Sequence, residues 1–272
     1  MKFGLISLDF RRYPLERCFE VAARLGYDGV EIWGGRPHAW PFDMDYATLA
    51  QVKQLQRRYQ LEIPMYTPAV LGMGLGLAST SAQERDDALR HYRRGIDVAS
   101  ALEVRRVLVV VDHPGFEASA DDTWARLVEN TIALADHAWP KGVALCFETL
   151  TPMESPVLTT SDDCVRLMAD VGRDNVCAML DVVPPTVACE PISSYFDKLG
   201  DAMGYIHLCG SDGTTDAHLA LDQGVLSVPD VLGIISARGY DGFVTVEQYS
   251  ASYRDPEAMA AQSIRLIRSW LG

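Results

Sequence analysis

Several features are missing from this 272-residue chain, and each absence removes a class of protein. No apolar run approaches the ~20 residues that a bilayer-spanning helix needs, so no membrane partner is expected. The opening MKFGLISLDFRRYP meets Asp9, Arg11 and Arg12 before a secretory core can develop, which points to a cytoplasmic location. Basic runs are also lacking. With 24 Lys and Arg against 37 Asp and Glu, the net charge is −13, and nucleic acid is not expected as a partner. The six cysteines (Cys18, Cys146, Cys164, Cys177, Cys189 and Cys209) include no CxxC pair and several lie in apolar runs, so reduced, buried thiols are expected rather than a disulfide framework. The junction after the first apolar run, LDFRRYPLE, contains no glycine, which argues against a phosphate loop for a dinucleotide. No Pro/Gly/Ser-rich linker divides the chain.

What is present is an alternation. Hydrophobic residues make up 48% of the chain and charged ones 22%, ample for a large core. Eight short apolar runs recur: Phe3 to Leu8, Gly29 to Trp33, Glu62 to Thr67, Arg106 to Val111, Val143 to Glu148, Val176 to Asp181, Gly204 to Cys209 and Phe243 to Glu247. Between them lie segments such as LERCFEVAARLG, TLAQVKQLQRRYQ and WARLVENTIALADHA, whose apolar residues repeat at three and four. Eight strand-plus-helix units without a linker predict an α/β fold, a single (β/α)8 TIM barrel over residues 1–272, in preference to an open doubly wound sheet.

Active sites of such barrels lie at the C-terminal ends of the strands. The late runs end on or near Glu148, Asp181, His207 and Glu247, each an oxygen or nitrogen ligand closing an apolar stretch. Residues two apart share a face of a strand, so Cys146, Met179, Tyr205 and Thr245 are expected to form a packed layer beneath these four. Taken singly, an acid after a strand is ordinarily a helix cap or a solvated loop residue, and a strand histidine an ordinary core residue. In register on consecutive strands they make a better metal cage, because clustered acids without a cation repel one another. Three carboxylates and an imidazole suit Mn²⁺, Co²⁺, Mg²⁺ or Zn²⁺. Mouth-facing loops should also carry His113, after strand four, and Trp33, Arg36 and His38 of WGGRPHAW, after strand two. These are expected to bind substrate, with Arg36 alternatively a subunit contact. His91 and His137 fall within helical periods and are read as packing or surface residues.

On these residues the chain resembles the sugar isomerase and epimerase superfamily built on the xylose-isomerase-like barrel, and within it the 3-epimerases of ketoses and fructosamines. The resemblance runs through GYDGVEIWGGRPHA, YTP, ETLTPMES, EPISSYFDKLGD and SDGTTDAH, and spans nearly the whole chain. It implies one divalent ion, Mn²⁺ or Co²⁺ first, with Mg²⁺, Ni²⁺ or Zn²⁺ as alternatives, held by Glu148, Asp181, His207 and Glu247. It also implies proton exchange at C3 of a carbohydrate by Glu148 and Glu247, and a substrate contact from Glu154. A homo-oligomer, dimer or tetramer, is expected. The chain departs from the ketose enzymes at Pro184, where they carry histidine, and at Gly213, where they carry arginine. Other sugar isomerases and an inosose dehydratase share the metal site. An endonuclease IV-like phosphodiesterase would need three metals and further histidines where Tyr66 and Pro184 stand, although Asp216 and His218 leave an Asp-x-His.

Overall fold

The computed structural model describes residues 1–272 as a closed parallel barrel in the order β1 to β8. The strands are β1 (Lys2–Ile6), β2 (Gly29–Gly34), β3 (Tyr66–Pro68), β4 (Arg106–Val109), β5 (Ala144–Phe147), β6 (Val176–Asp181), β7 (Met203–Leu208) and β8 (Phe243–Val246). The barrel closes between β1 and β8, where Gly4 pairs with Thr245. A Cβ on Gly4 would lie 2.4 Å from Thr245 Oγ1, so only glycine allows this approach.

All eight expected strands form. β3 is the one that shifts, starting four residues later than the apolar run that predicted it. Pro64 has no N–H to give to a ladder, so Glu62 makes only an isolated bridge to Gly29 and regular pairing begins at Tyr66.

Outside the strands run α1 (Leu15–Leu25), α2 (Tyr46–Tyr59), α3 (Ala82–Ala101), α4 (Ala120–Ala138), α5 (Ser161–Val171), α6 (Val183–Val187), α7 (Ile192–Leu199), α8 (Val228–Ala237) and α9 (Pro256–Leu271). Each long helix turns one face inward. On α1, Leu15, Cys18, Phe19 and Ala22 are buried at the three-and-four spacing seen in the sequence, and Gly26 ends the helix in the left-handed conformation at φ 79°. α5 opens with a capping box between Thr160 and Asp163. Burying side chains of this size stabilises the fold by about 1.5–3 kcal/mol each.

The eight-unit count is exceeded by one helix because β6 is followed by two, α6 and α7. All six cysteines are free thiols. Cys189 is exposed where a buried thiol was expected; it stands at φ 55° in the short turn between α6 and α7. No helix is long and apolar enough to cross a membrane.

Candidate metal centre and active site

The four strand-end residues converge. One donor atom from each of Glu148, Asp181, His207 and Glu247 can be chosen so that all lie within 4.8 Å of one another, and all four residues are buried. The register explains this: Asp181 is level with His207 across β6 and β7, while Glu148 and Glu247 follow directly on β5 and β8. Their amides are held by the neighbouring strands, Glu148 N by Val109 O at 3.1 Å and Glu247 N by Leu208 O at 3.1 Å. His207 Nδ1 lies 3.0 Å from Glu148 Oε1, 2.7 Å from Glu247 Oε2 and 3.8 Å from Asp181 Oδ2. Donors about 2.1 Å from a common centre stand about 3–4 Å apart, so the set matches the coordination shell of a small divalent ion.

Around this cluster a second layer fixes the donors. His207 Nε2 donates to Glu31 Oε2 at 2.9 Å, and Glu31 Oε1 accepts from Thr67 Oγ1 at 2.5 Å. That leaves Nδ1 facing the three acids, the carboxylate–histidine arrangement that orients metal-binding imidazoles. Asp181 Oδ1 accepts from Val183 N at 2.6 Å, at the start of α6. Its other oxygen, Oδ2, meets His218 Nε2 at 3.0 Å. Below, Tyr205 and Thr245 share a hydrogen bond of 2.5 Å, filling the layer expected two residues before the ligands.

The electrostatics reflect burial of like charges. Burial pushes the Glu148 carboxyl up to about 8, against the pull of His207 beside it. Burial opposes a charge on His207, but Glu31, Glu247 and Glu148 together hold its imidazolium well above the usual histidine range. His218 is likewise raised, to about 10, where Asp181 outweighs burial. Asp181 is drawn the other way: burial works against its charge, yet His218 and His207 bring it below the ordinary carboxylate value. Without a cation, protons on the two histidines and on Glu148 offset the carboxylate charge.

Glu148, Asp181 and Glu247 of this cluster line a cavity of roughly 270 Å³ at the barrel mouth. Glu154 lines it, half-buried, with Oε2 accepting from Thr151 N at 3.0 Å and Thr151 Oγ1 at 2.9 Å, and burial raises its carboxyl. Trp33 also lines it, as does Pro184. Three expected substrate contacts stand elsewhere. Arg36 points outward and pairs with Asp43 at 2.5 Å. His38 is packed behind Trp33, its Nε2 donating to Tyr13 O at 2.9 Å and its Nδ1 3.2 Å from Ser7 Oγ. His113 packs at a tilt against exposed Phe116 and accepts from Gly115 N at 3.0 Å. None of the three forms part of the cavity wall. His91 is buried against Trp40, and His137 meets Asp97 at 2.9 Å on the outer helices.

Two residues of the site escaped the sequence reading as parts of the metal cluster. Glu31 sits in the middle of GVEIW, and an acid inside an apolar strand was itself the signal. His218 reaches the cluster through a loop pinned by a two-way backbone pair between Gly210 and Leu219, at 3.0 and 2.9 Å. A Cβ at Gly210 would fall 2.2 Å from Ala220 O, so this closure requires glycine. Nothing in the spacing of SDGTTDAH foretells it.

Residues 19–270 match the family described as xylose isomerase-like TIM barrel. The chain is 35% identical over 271 residues to fructoselysine 3-epimerase of Shigella flexneri, covering all of this chain and 98% of that protein. It is 25% identical to L-ribulose 3-epimerase of Methylomonas sp., over 92% of this chain and 84% of that one. Among solved structures, D-psicose 3-epimerase of Clostridium cellulolyticum with D-tagatose superposes with a TM-score of 0.82 at 19% identity, covering 100% of this chain and 99% of that one. The chain thus belongs to the xylose isomerase-like TIM barrel family and is an isomerase of the epimerase kind.

Proposed function

We propose that the protein is a divalent-metal-dependent epimerase acting at C3 of a ketose or a fructosamine. The observation that carries this reading is the convergence of Glu148, Asp181, His207 and Glu247 on one point beside a sugar-sized cavity. Mn²⁺ or Co²⁺, borderline ions that accept both carboxylate oxygen and imidazole nitrogen, suit the donor set. Such an ion would supply positive charge where negative charge develops on the substrate oxygens.

Inverting a carbon next to a carbonyl needs two acid/base groups on opposite faces. Glu148 and Glu247 close strands three steps apart in the barrel, so they approach the cavity from different sides. A carboxylate oxygen of one takes the C3 proton, and the C–H electron pair moves toward the adjacent carbonyl. The carboxyl group of the other returns a proton to the opposite face. Asp181 and His207 hold the centre, and Glu154 and Trp33 contact the sugar. The apolar wall of Leu8, Leu108, Val110 and Leu150 keeps bulk water from the reacting carbon.

The phosphodiesterase alternative lacks ligands. Tyr66 spends its hydroxyl on Ala39 O at 2.6 Å, and Pro184 offers no side-chain donor, so two histidines that a three-metal cluster needs are missing, although Asp181, Cys209 and His218 come together as a second group of donors. Incubating the metal-loaded protein with ketoses and fructosamines in D₂O, followed by NMR, tests the proposal. Epimer formation with deuterium entering at C3 is expected. Turnover without wash-in, or no epimer from any of these substrates, sinks it.

A further inference from the structure

A second cavity of roughly 300 Å³ adjoins the first, and Arg11 belongs to the walls of both. It is built from the segment after β1 and the loop after β8, two adjacent strands, so it opens on the Glu247 side of the mouth. Arg11, Arg12 and Arg254 gather there in a protein of net charge −13. None of the three forms an ion pair; Arg17, Arg24, Arg58, Arg173 and Arg238 are paired with acids elsewhere on the surface, and Arg85, Arg94 and Arg126, also without an acid, give their guanidinium groups to backbone carbonyls. Arg11 makes only a long contact to Leu8 O at 3.5 Å, and Arg254 lies over the Tyr253 ring at 5.2 Å.

An independent feature points to a ligand. Ser252 lines the same cavity, is 1% exposed, and its hydroxyl has no hydrogen-bond partner. A buried hydroxyl left unpaired costs about 1–3 kcal/mol, which a ligand oxygen would recover. Asp9, the only acid in this wall, is already engaged: both its oxygens accept from Gln248 N, at 3.2 and 3.1 Å. Tyr13 and Tyr253 also line the cavity. His38 donates to Tyr13 O, so it braces this segment without touching the sugar cavity.

We propose that Arg11, Arg12 and Arg254, with Ser252, form a subsite for an oxyanion group, carboxylate or phosphate, carried by the substrate at the end remote from C3. The guanidinium fork matches either group bidentately, and the donors outnumber any acceptor in the wall. The inference rests on the 3-epimerase reading for the identity of the molecule, but the anion affinity stands apart from it. It narrows the substrate class to charged ketose derivatives, such as the fructosamine of an amino acid with a free carboxylate or a ketose phosphate.

Calorimetric titration of the intact, metal-loaded protein with inorganic phosphate and with acetate reads the subsite without any turnover. Saturable binding is expected, weakened about tenfold or more in Arg12→Gln/Arg254→Gln and also reduced in Ser252→Ala. Equal affinity in these variants, or no binding at all, overturns the proposal. Turnover then separates the two sources, by comparing fructoselysine with its carboxamide and a ketose 6-phosphate with the free ketose. A preference in kcat/KM for one charged partner that falls about tenfold in the double variant identifies the group. An equal fall in Arg90→Gln/Arg166→Gln, which removes the same charge elsewhere, makes the effect one of net charge and overturns the subsite. Anion binding without any epimerisation sinks the epimerase reading and keeps the subsite. Epimerisation without anion affinity or preference does the reverse.

Discussion

The two halves of the barrel do different work. The four candidate ligands lie on or directly after the ends of β5 to β8, while at the same depth the early strands supply no donor to the centre: Val110 follows β4 and Pro68 ends β3, both in the cavity wall. The early half acts at one remove. Glu31 and Thr67 set the ring of His207, and the segment after β1 brings Arg11 and Arg12 to the rim. The contrast shows why one half is easy to read. A ligand that closes an apolar run stands out in a sequence, but a residue that works by holding another residue looks like ordinary core polarity.

The difference between the halves can be broken most forcefully on the ligand side. Glu148→Gln and Glu247→Gln each remove a proposed acid/base group and metal donor, so kcat should fall by ~10³-fold or more. Full turnover by either variant, measured by NMR on the same substrates, would remove these residues from the chemistry.

The next largest effect concerns protons. In the metal-free protein Glu148, pushed up to about 8, and His207, held above its usual range, both carry protons at neutral pH. Ligation must release them, so metal affinity should rise as pH goes from 6 to 8, by up to about tenfold per unit for each proton released. Calorimetry in two buffers of different ionisation enthalpy counts those protons. An affinity that is flat across this range would contradict the assignment of His207 and Glu148 as donors.

On the early half, Glu31→Gln keeps the size of the side chain but weakens its hold on His207. Metal affinity should drop about 10–100-fold while the barrel stays folded. An unchanged Kd would mean that His207 is positioned by packing alone. The smallest effects are expected from Arg36→Ala and His113→Ala, which lie outside the cavity wall. Arg36 forms an exposed ion pair, and such surface changes usually stay within a few tenths of a kcal/mol, so kcat/KM should change by less than about threefold. A large rise in KM for either would place it back among the substrate contacts.

Much of the fold was written in local pattern. Short apolar runs and helical repeats located all eight strands, and the one displaced strand, β3, follows from Pro64 and its missing N–H. The candidate ligands were legible for the same reason, each being a polar residue at a fixed phase of an apolar run. Arg36, His38 and His113 were placed at the mouth from their position after strands. The loops then carried each to a local partner, Asp43, Tyr13 O and Gly115 N, and position after a strand says nothing about loop direction. His218 shows the converse, brought to Asp181 by the Gly210 closure from 37 residues away.

By itself, then, the sequence determined the barrel, its order and the register of its four inward donors, because strand period and burial are local and repeat along the chain. Only the tertiary structure decided which polar residues come together: Glu31 across the barrel from β2 to His207, His218 over Asp181, and three arginines lining one cavity from the segments after β1 and β8. Those meetings depend on barrel closure and on loops whose course is set by a few backbone contacts, and no periodicity encodes either.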